Sequence, residues 1–219
     1  MVRDWLSLQE DVMPIQFDPS IPALSPWRPR LTAAYYFLPG LAQTCVDNLT
    51  PGQINWPLYH RWFDPGGMGS PARVAFVRLV FTSLRQWVDS KTLTFFDCTA
   101  NAIGVAMPGV AAYVWQLGPG AGVAHVGSGV RIGMANGLVH PAWTNNDVAG
   151  LIAHELTHKI GLQHGYNIID VAPAYGRDNC LAKAAGPNPQ NAVTNADNYR
   201  CYLKEANGLA WVNIGGVFY

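Results

Sequence analysis

His154 and His158 stand four residues apart, and Glu155 follows the first of them directly. On an α-helix, positions four apart share one face, so the two imidazoles can be offered to a single ion. Glu155 falls one step round, close enough to that ion to hold a water molecule. The chemistry this set suits is hydrolysis by a metal-activated water: two His ligands, a carboxylate as general base, and a coordination position left open for the nucleophile. A helix whose histidines merely packed or capped would gain nothing from three ionisable groups gathered together.

A helix is the element that must position them. Thr144-Asn145-Asn146-Asp147 reads as a turn and the run Val148 to Ala153 is apolar, which predicts a helix from about Asn146 to Ile160, capped by Asn145, Asn146 or Asp147. A third protein ligand is needed. His164 completes the spelling His-Glu-x-x-His-x-x-Gly-x-x-His, with Gly161 breaking the helix so that the chain turns back to the ion. That spelling resembles the metzincin peptidases, which also carry a methionine turn downstream of the third His. The last methionine here is Met134.

Residues further along carry a second resemblance. Ala174-Tyr175-Gly176, Cys180-Leu181-Ala182, Asn188-Pro189 and Asn195-Ala196-Asp197-Asn198-Tyr199 are similar to the aspzincins, the M35-like deuterolysin and peptidyl-Lys metallopeptidase family. The pattern there is His-Glu-x-x-His, then Gly-Thr-x-x-Asp-x-x-Tyr-Gly, then a helix bearing Asn-Ala-Asp. The resemblance implies zinc as cofactor, Asp170 as third ligand, Tyr175 as donor to the oxyanion, and Glu155 as general base. Asp197 would hydrogen-bond a ligand His or the loop. The chain departs from the pattern: Gly-Thr is missing, Asp170 precedes Tyr175 by five residues rather than three, and Ala172 occupies the regular Asp position. Asp170 and His164 therefore both stand as candidates for the third ligand. The family includes enzymes that cut before lysine using acidic pocket residues, and no such pocket can be located from the sequence.

The remaining elements predict an α+β fold: a zincin-like metallopeptidase domain with a small mixed sheet, an active-site helix and C-terminal helices. Residues 1–69 are expected as a Pro-rich arm or extension packed on the domain, extended through about residue 30, with Pro/Gly turns at 39–40, 51–52 and 65–67. Residues 70–219 are expected as the catalytic domain. Ser70-Pro71 opens a helix to about Asp89, with Val74, Val77, Phe81, Leu84 and Val88 at helical spacing. Strands are expected over Thr92–Cys98, Ala111–Gln116 and Val130–Met134, the second of them a candidate edge strand on which an extended peptide can pair. Short helices are predicted over Asn179–Ala185 and from Asn188-Pro189 to about Asn207. The tail from Trp211 is expected to dock as an extended segment. His60 has no ligand-spaced partner, and His125 and His140, in Gly- or Pro-bounded loops, read as solvated or structural rather than catalytic.

Composition narrows the function classes. The 219 residues are 49% hydrophobic and 13% charged, with fourteen basic and fourteen acidic residues; that is a well-packed globular chain with no basic track for nucleic acid. No apolar run reaches the ~18 residues needed to cross a membrane. A peptide or protein substrate and a monomer are the expected partners. The N-terminus does not read as a secretory signal, so a secreted enzyme whose signal was removed, or an effector delivered by another route, is expected. Cys45, Cys98, Cys180 and Cys201 lack Cys-x-x-Cys spacing; two disulfides fit an oxidising compartment, with Cys45–Cys98 and Cys180–Cys201 the expected pairing of three connectivities and four free buried thiols the alternative. A catalytically silent binding module with zinc as a staple is the rival outside the enzymes.

Overall fold

Apolar residues at helical spacing build a set of helices packed together with a small sheet. The computed structural model describes residues 15–64, 70–90, 92–97, 112–114, 130–134, 143–188, 190–214 and 216–219. Its helices are α1 (Trp27–Asp47), α2 (Trp56–Phe63), α3 (Pro71–Ser90), α4 (Asn145–Gln163), α5 (Arg177–Ala185), α6 (Gln190–Val193) and α7 (Ala196–Ala206). Its strands are β1 (Ile15–Phe17), β2 (Leu93–Asp97), β3 (Ala112–Val114), β4 (Val130–Met134), β5 (Asn213–Ile214) and β6 (Val217–Phe218). The fold is α+β, as expected.

The first four strands form a mixed sheet in the order β1-β2-β4-β3. β1, β2 and β4 run parallel, with Phe95 opposite both Phe17 and Ile132, and β3, antiparallel to β4, is the edge strand among the described residues. β3 lies against α4.

The Pro/Gly turn expected at 39–40 is instead the interior of α1, which runs through Pro39. A proline inside a helix costs about 3 kcal/mol. Leu31, Leu38 and Val46 are buried on this helix, and each such side chain contributes roughly 1.5–3 kcal/mol. Packing on α3 and α4 therefore outweighs the broken ladder.

α4 is buried nearly all round, from Asp147 to His158 without a gap, as a helix enclosed by α1, α3 and α7 must be. Its cap is Thr144, one residue ahead of the expected candidates: Thr144 Oγ1 accepts from the Asp147 N–H while the Asp147 carboxylate accepts from the Thr144 N–H. Asp147 also pairs with Lys204 of α7, whose ammonium donates to the Tyr219 carbonyl at 2.9 Å. A fully buried lysine demands such partners, and the pair ties α7 and the β5–β6 hairpin beneath the start of α4.

The expected single helix from Asn188 onward is broken at Asn195 into α6 and α7. Asn195 takes an extended backbone and bridges to Ile169. The cysteines differ from expectation too. Cys180 and Cys201 are buried free thiols rather than a bridge, Cys45 is a third buried free thiol, and among the described residues there is no disulfide. Cys98, His125 and His140 lie outside the described residues. No helix among the described residues is long and apolar enough to cross a membrane.

Candidate metal centre

α4 carries His154 and His158 on one face, and the loop after it brings Asp170 back over them. Asp170 Oδ1 lies 3.2 Å from His154 Nε2 and 3.6 Å from His158 Nε2. One donor atom from each of the three falls within 4.8 Å of the others. Each imidazole is held by its far nitrogen. His158 Nδ1 donates to the Ile168 carbonyl at 2.8 Å, and His154 Nδ1 faces Asp197 Oδ1 at 3.3 Å. Such partners fix the ring orientation and point both Nε2 atoms at Asp170.

The loop gets there by a close approach. Gly161 sits within the helix, where a Cβ would come within 2.7 Å of Ile168 Cγ1. Its missing side chain lets Ile168 fold tightly onto α4 and present its carbonyl to His158. Gly161 does not break the helix, which continues to Gln163. His164 is consequently left outside the cluster, at the helix end, with its Nε2 3.0 Å from Ser83 Oγ on α3.

Asn195 pins the other end of the loop. Its Oδ1 accepts from the Val171 N–H at 3.0 Å, and its Nδ2 donates to the Ala174 carbonyl at 3.2 Å and to Asn198 Oδ1 at 2.8 Å. This is why the backbone leaves the helix at Asn195. Sequence reasoning gave Asn195 no role, nor Ile168; the Asn-Ala-Asp run was the available signal. The anchored loop lets Asp170 reach the histidines although it stands five residues before Tyr175, while Ala172 is exposed.

Tyr175 donates its hydroxyl to Asp170 Oδ2 at 2.8 Å and its ring flanks that of His154. Asp197, fully buried at the start of α7, accepts the Gly176 N–H at 2.7 Å and the Arg200 guanidinium at 3.2 Å. Glu155 is 4% exposed and acts electrostatically on both His154 and Tyr175.

The charges agree with a site for a cation. Burial alone would lower the pKa of His154, but the hydrogen bonds that the imidazolium donates to Asp170 and Asp197, with Glu155 nearby, push it up to about 10. His158 is lowered by burial and by the His154 charge. For Asp170, burial would raise the pKa, and the His154 contact with His158 beyond it overrides this and lowers it. Burial, then the Asp170 charge, raises the Tyr175 phenol so that it stays a hydroxyl. Two imidazole nitrogens and one carboxylate oxygen form a set that suits zinc. The side away from α4 is open: the Asp170 side chain is 33% exposed and Tyr175 41%.

The sequence matches the model of the aspzincin family, described as lysine-specific metallo-endopeptidase, over residues 53–204. The fold is similar to that of a zinc peptidase from Grifola frondosa, at 20% identity and a TM-score of 0.58, over 84% of this chain and 98% of that one. No curated protein matches the sequence.

Proposed function

This chain belongs to the aspzincin family of zinc metallo-endopeptidases, and on that premise we propose that it hydrolyses peptide bonds at the His154, His158 and Asp170 centre. The observation that carries this reading is the convergence of His154 Nε2, His158 Nε2 and an Asp170 oxygen, with Glu155 the residue after His154 on α4. His154, His158 and Asp170 would hold zinc, which would supply a Lewis acid and lower the pKa of a nearby water toward neutrality. Glu155 takes the proton of that water and passes it to the leaving amine. The Tyr175 hydroxyl turns from Asp170 to the oxygen on which negative charge develops. His158 and His154 are kept in register by Ile168 and Asp197. The substrate is an extended peptide, and β3, an edge strand lying against α4, offers a ladder for it. Action outside the producing cell, as a secreted enzyme or delivered effector, is part of the same proposal.

Glu155→Gln tests it. Metal content and quenched-peptide hydrolysis are measured on the parent and the variant, each with and without chelator. Retained zinc with hydrolysis lost by a factor of about 10² or more is expected. Equal hydrolysis in both proteins would remove Glu155 from the mechanism, and zinc uptake without any hydrolysis in the parent would favour the silent, zinc-stapled module.

A further inference from the structure

Arg200 lies one carboxylate away from the centre and is only partly used. It is 3% exposed, and its Nη1 donates to Asp197 Oδ1, the oxygen that also faces His154 Nδ1. Among the described residues its Nε and Nη2 have no hydrogen-bond partner. These two N–H groups form one edge of the guanidinium, the edge that grips a carboxylate through two parallel hydrogen bonds. The group is walled by aromatic rings, with Cζ 5.8 Å from the Trp143 ring centre and 5.1 Å from that of Tyr219. Gly150 of α4 lies beneath it, where a Cβ would stand 3.4 Å from Arg200 Cγ. Trp143, 7% exposed, leaves its own Nε1 unpartnered in the same neighbourhood.

Buried donors without acceptors are costly; among the described residues Arg78 and Arg177 each leave one Nε unpartnered, whereas the Lys204 ammonium, as deeply buried as Arg200, has both Asp147 and the Tyr219 carbonyl. A cation held in an aromatic wall with one edge unspent is built to receive an anion. We infer that Arg200 is a specificity-determining residue, whose Nε–Nη2 edge takes the carboxylate of an acidic side chain on the peptide substrate. This rests on the peptidase reading above. It also separates this chain from the lysine preference in the family's description. A lysine would need an unspent carboxylate, whereas Asp197 is held by Arg200, His154 and Gly176.

The test uses the full chain loaded with zinc and a set of peptides differing in one residue. Glu, Gln or Lys is walked from two positions before the cleaved bond to two after it. At one position kcat/KM for Glu exceeds that for Gln by about tenfold or more, with Lys the poorest, as a site built to bond a specific group discriminates. Arg200→Gln brings the Glu-to-Gln ratio near one, and Arg200→Lys restores part of it. The ratio within one protein cancels any general loss caused by disturbing Asp197. Equal cleavage of Glu and Gln peptides at every position, or a preference for Lys, overturns the inference and leaves the peptidase reading standing. The same peptides, labelled and bound to Glu155→Gln protein, give the ratio without turnover, so the inference is read even if the parent cuts nothing. Acetate or chloride raising the melting temperature of the parent but not of Arg200→Gln, with no discrimination among peptides, would make this a free-anion site and sink the substrate assignment.

Discussion

Asp197 Oδ1 lies 3.3 Å from Nδ1 of His154, and the other oxygen of the same carboxylate holds the Gly176 N–H at 2.7 Å. One buried side chain therefore sets the orientation of an imidazole and the position of the turn that carries Tyr175. Its own charge is kept by Arg200 and by His154: burial would raise its pKa, but those two groups and the Gly176 bond lower it strongly. Asp197→Asn keeps the shape and removes the charge, and zinc affinity is expected to fall about 10- to 100-fold. Chelator competition measures it. Asp197→Ala also strands the buried Arg200 cation and is expected to lower the unfolding free energy by about 3 kcal/mol.

The two candidates for the third ligand separate in a single experiment. Asp170→Ala removes the oxygen shared by both histidines and is expected to lose stoichiometric zinc. His164→Ala removes only a contact with Ser83, so zinc is retained and stability changes by about 1 kcal/mol or less. The reverse pattern of metal contents would put the ligand at His164.

Tyr175 bonds Asp170 through its hydroxyl while lying near the open side of the centre. Tyr175→Phe is expected to lower kcat by a factor on the order of 10², with KM and zinc content nearly unchanged. A loss confined to KM would mean that the ring positions substrate and the hydroxyl does nothing to the oxyanion.

Gly161 is where helix and ligand loop meet. A methyl group there would meet Ile168 at its Cβ and Cγ1, atoms that cannot swing aside as a side-chain tip does. Gly161→Ala is expected to destabilise by about 1–3 kcal/mol and to weaken zinc binding with it, since Ile168 supplies the carbonyl that holds His158. Urea unfolding and zinc titration check both.

Proton release reports the electrostatics of the centre. The His154 imidazole, raised from 6.5 to about 10, carries a proton at neutral pH that zinc must displace, while His158, lowered, carries none. Binding is expected to release about one proton, so zinc affinity rises roughly tenfold per pH unit between about pH 7 and pH 9. Calorimetry in buffers of different ionisation enthalpy counts the proton. In metal-stripped protein the raised His154 stabilises the fold fully below 6.5, and that contribution is lost as pH rises through about 10. Urea unfolding of stripped protein near pH 6 and near pH 10 should show the decline.

How much of this was legible in the residues follows from the range of the forces involved. The spacing of His154, Glu155 and His158 specifies one helical face, because helix geometry is local and needs no partner. The α3 helix and strand β4 were placed well for the same reason, from apolar period and flanking turns. The sequence by itself thus placed His154, Glu155 and His158 on one helix and, through the resemblance carried by Asn195-Ala196-Asp197, indicated the class of peptidase. Tertiary packing decided the rest. α1 persists through Pro39 because buried side chains outweigh a local penalty. Asn195 leaves the helix because the loop bearing Asp170 needs its side chain and its bridge to Ile169. His164 lies outside the cluster, and Asp170 within reach of both histidines, because Gly161 lets Ile168 close onto α4 without a side chain between them. Each of these is a contact between residues distant in the chain or separated by a turn, whose worth depends on where the other partner lies, and no local pattern of residue types encodes that position.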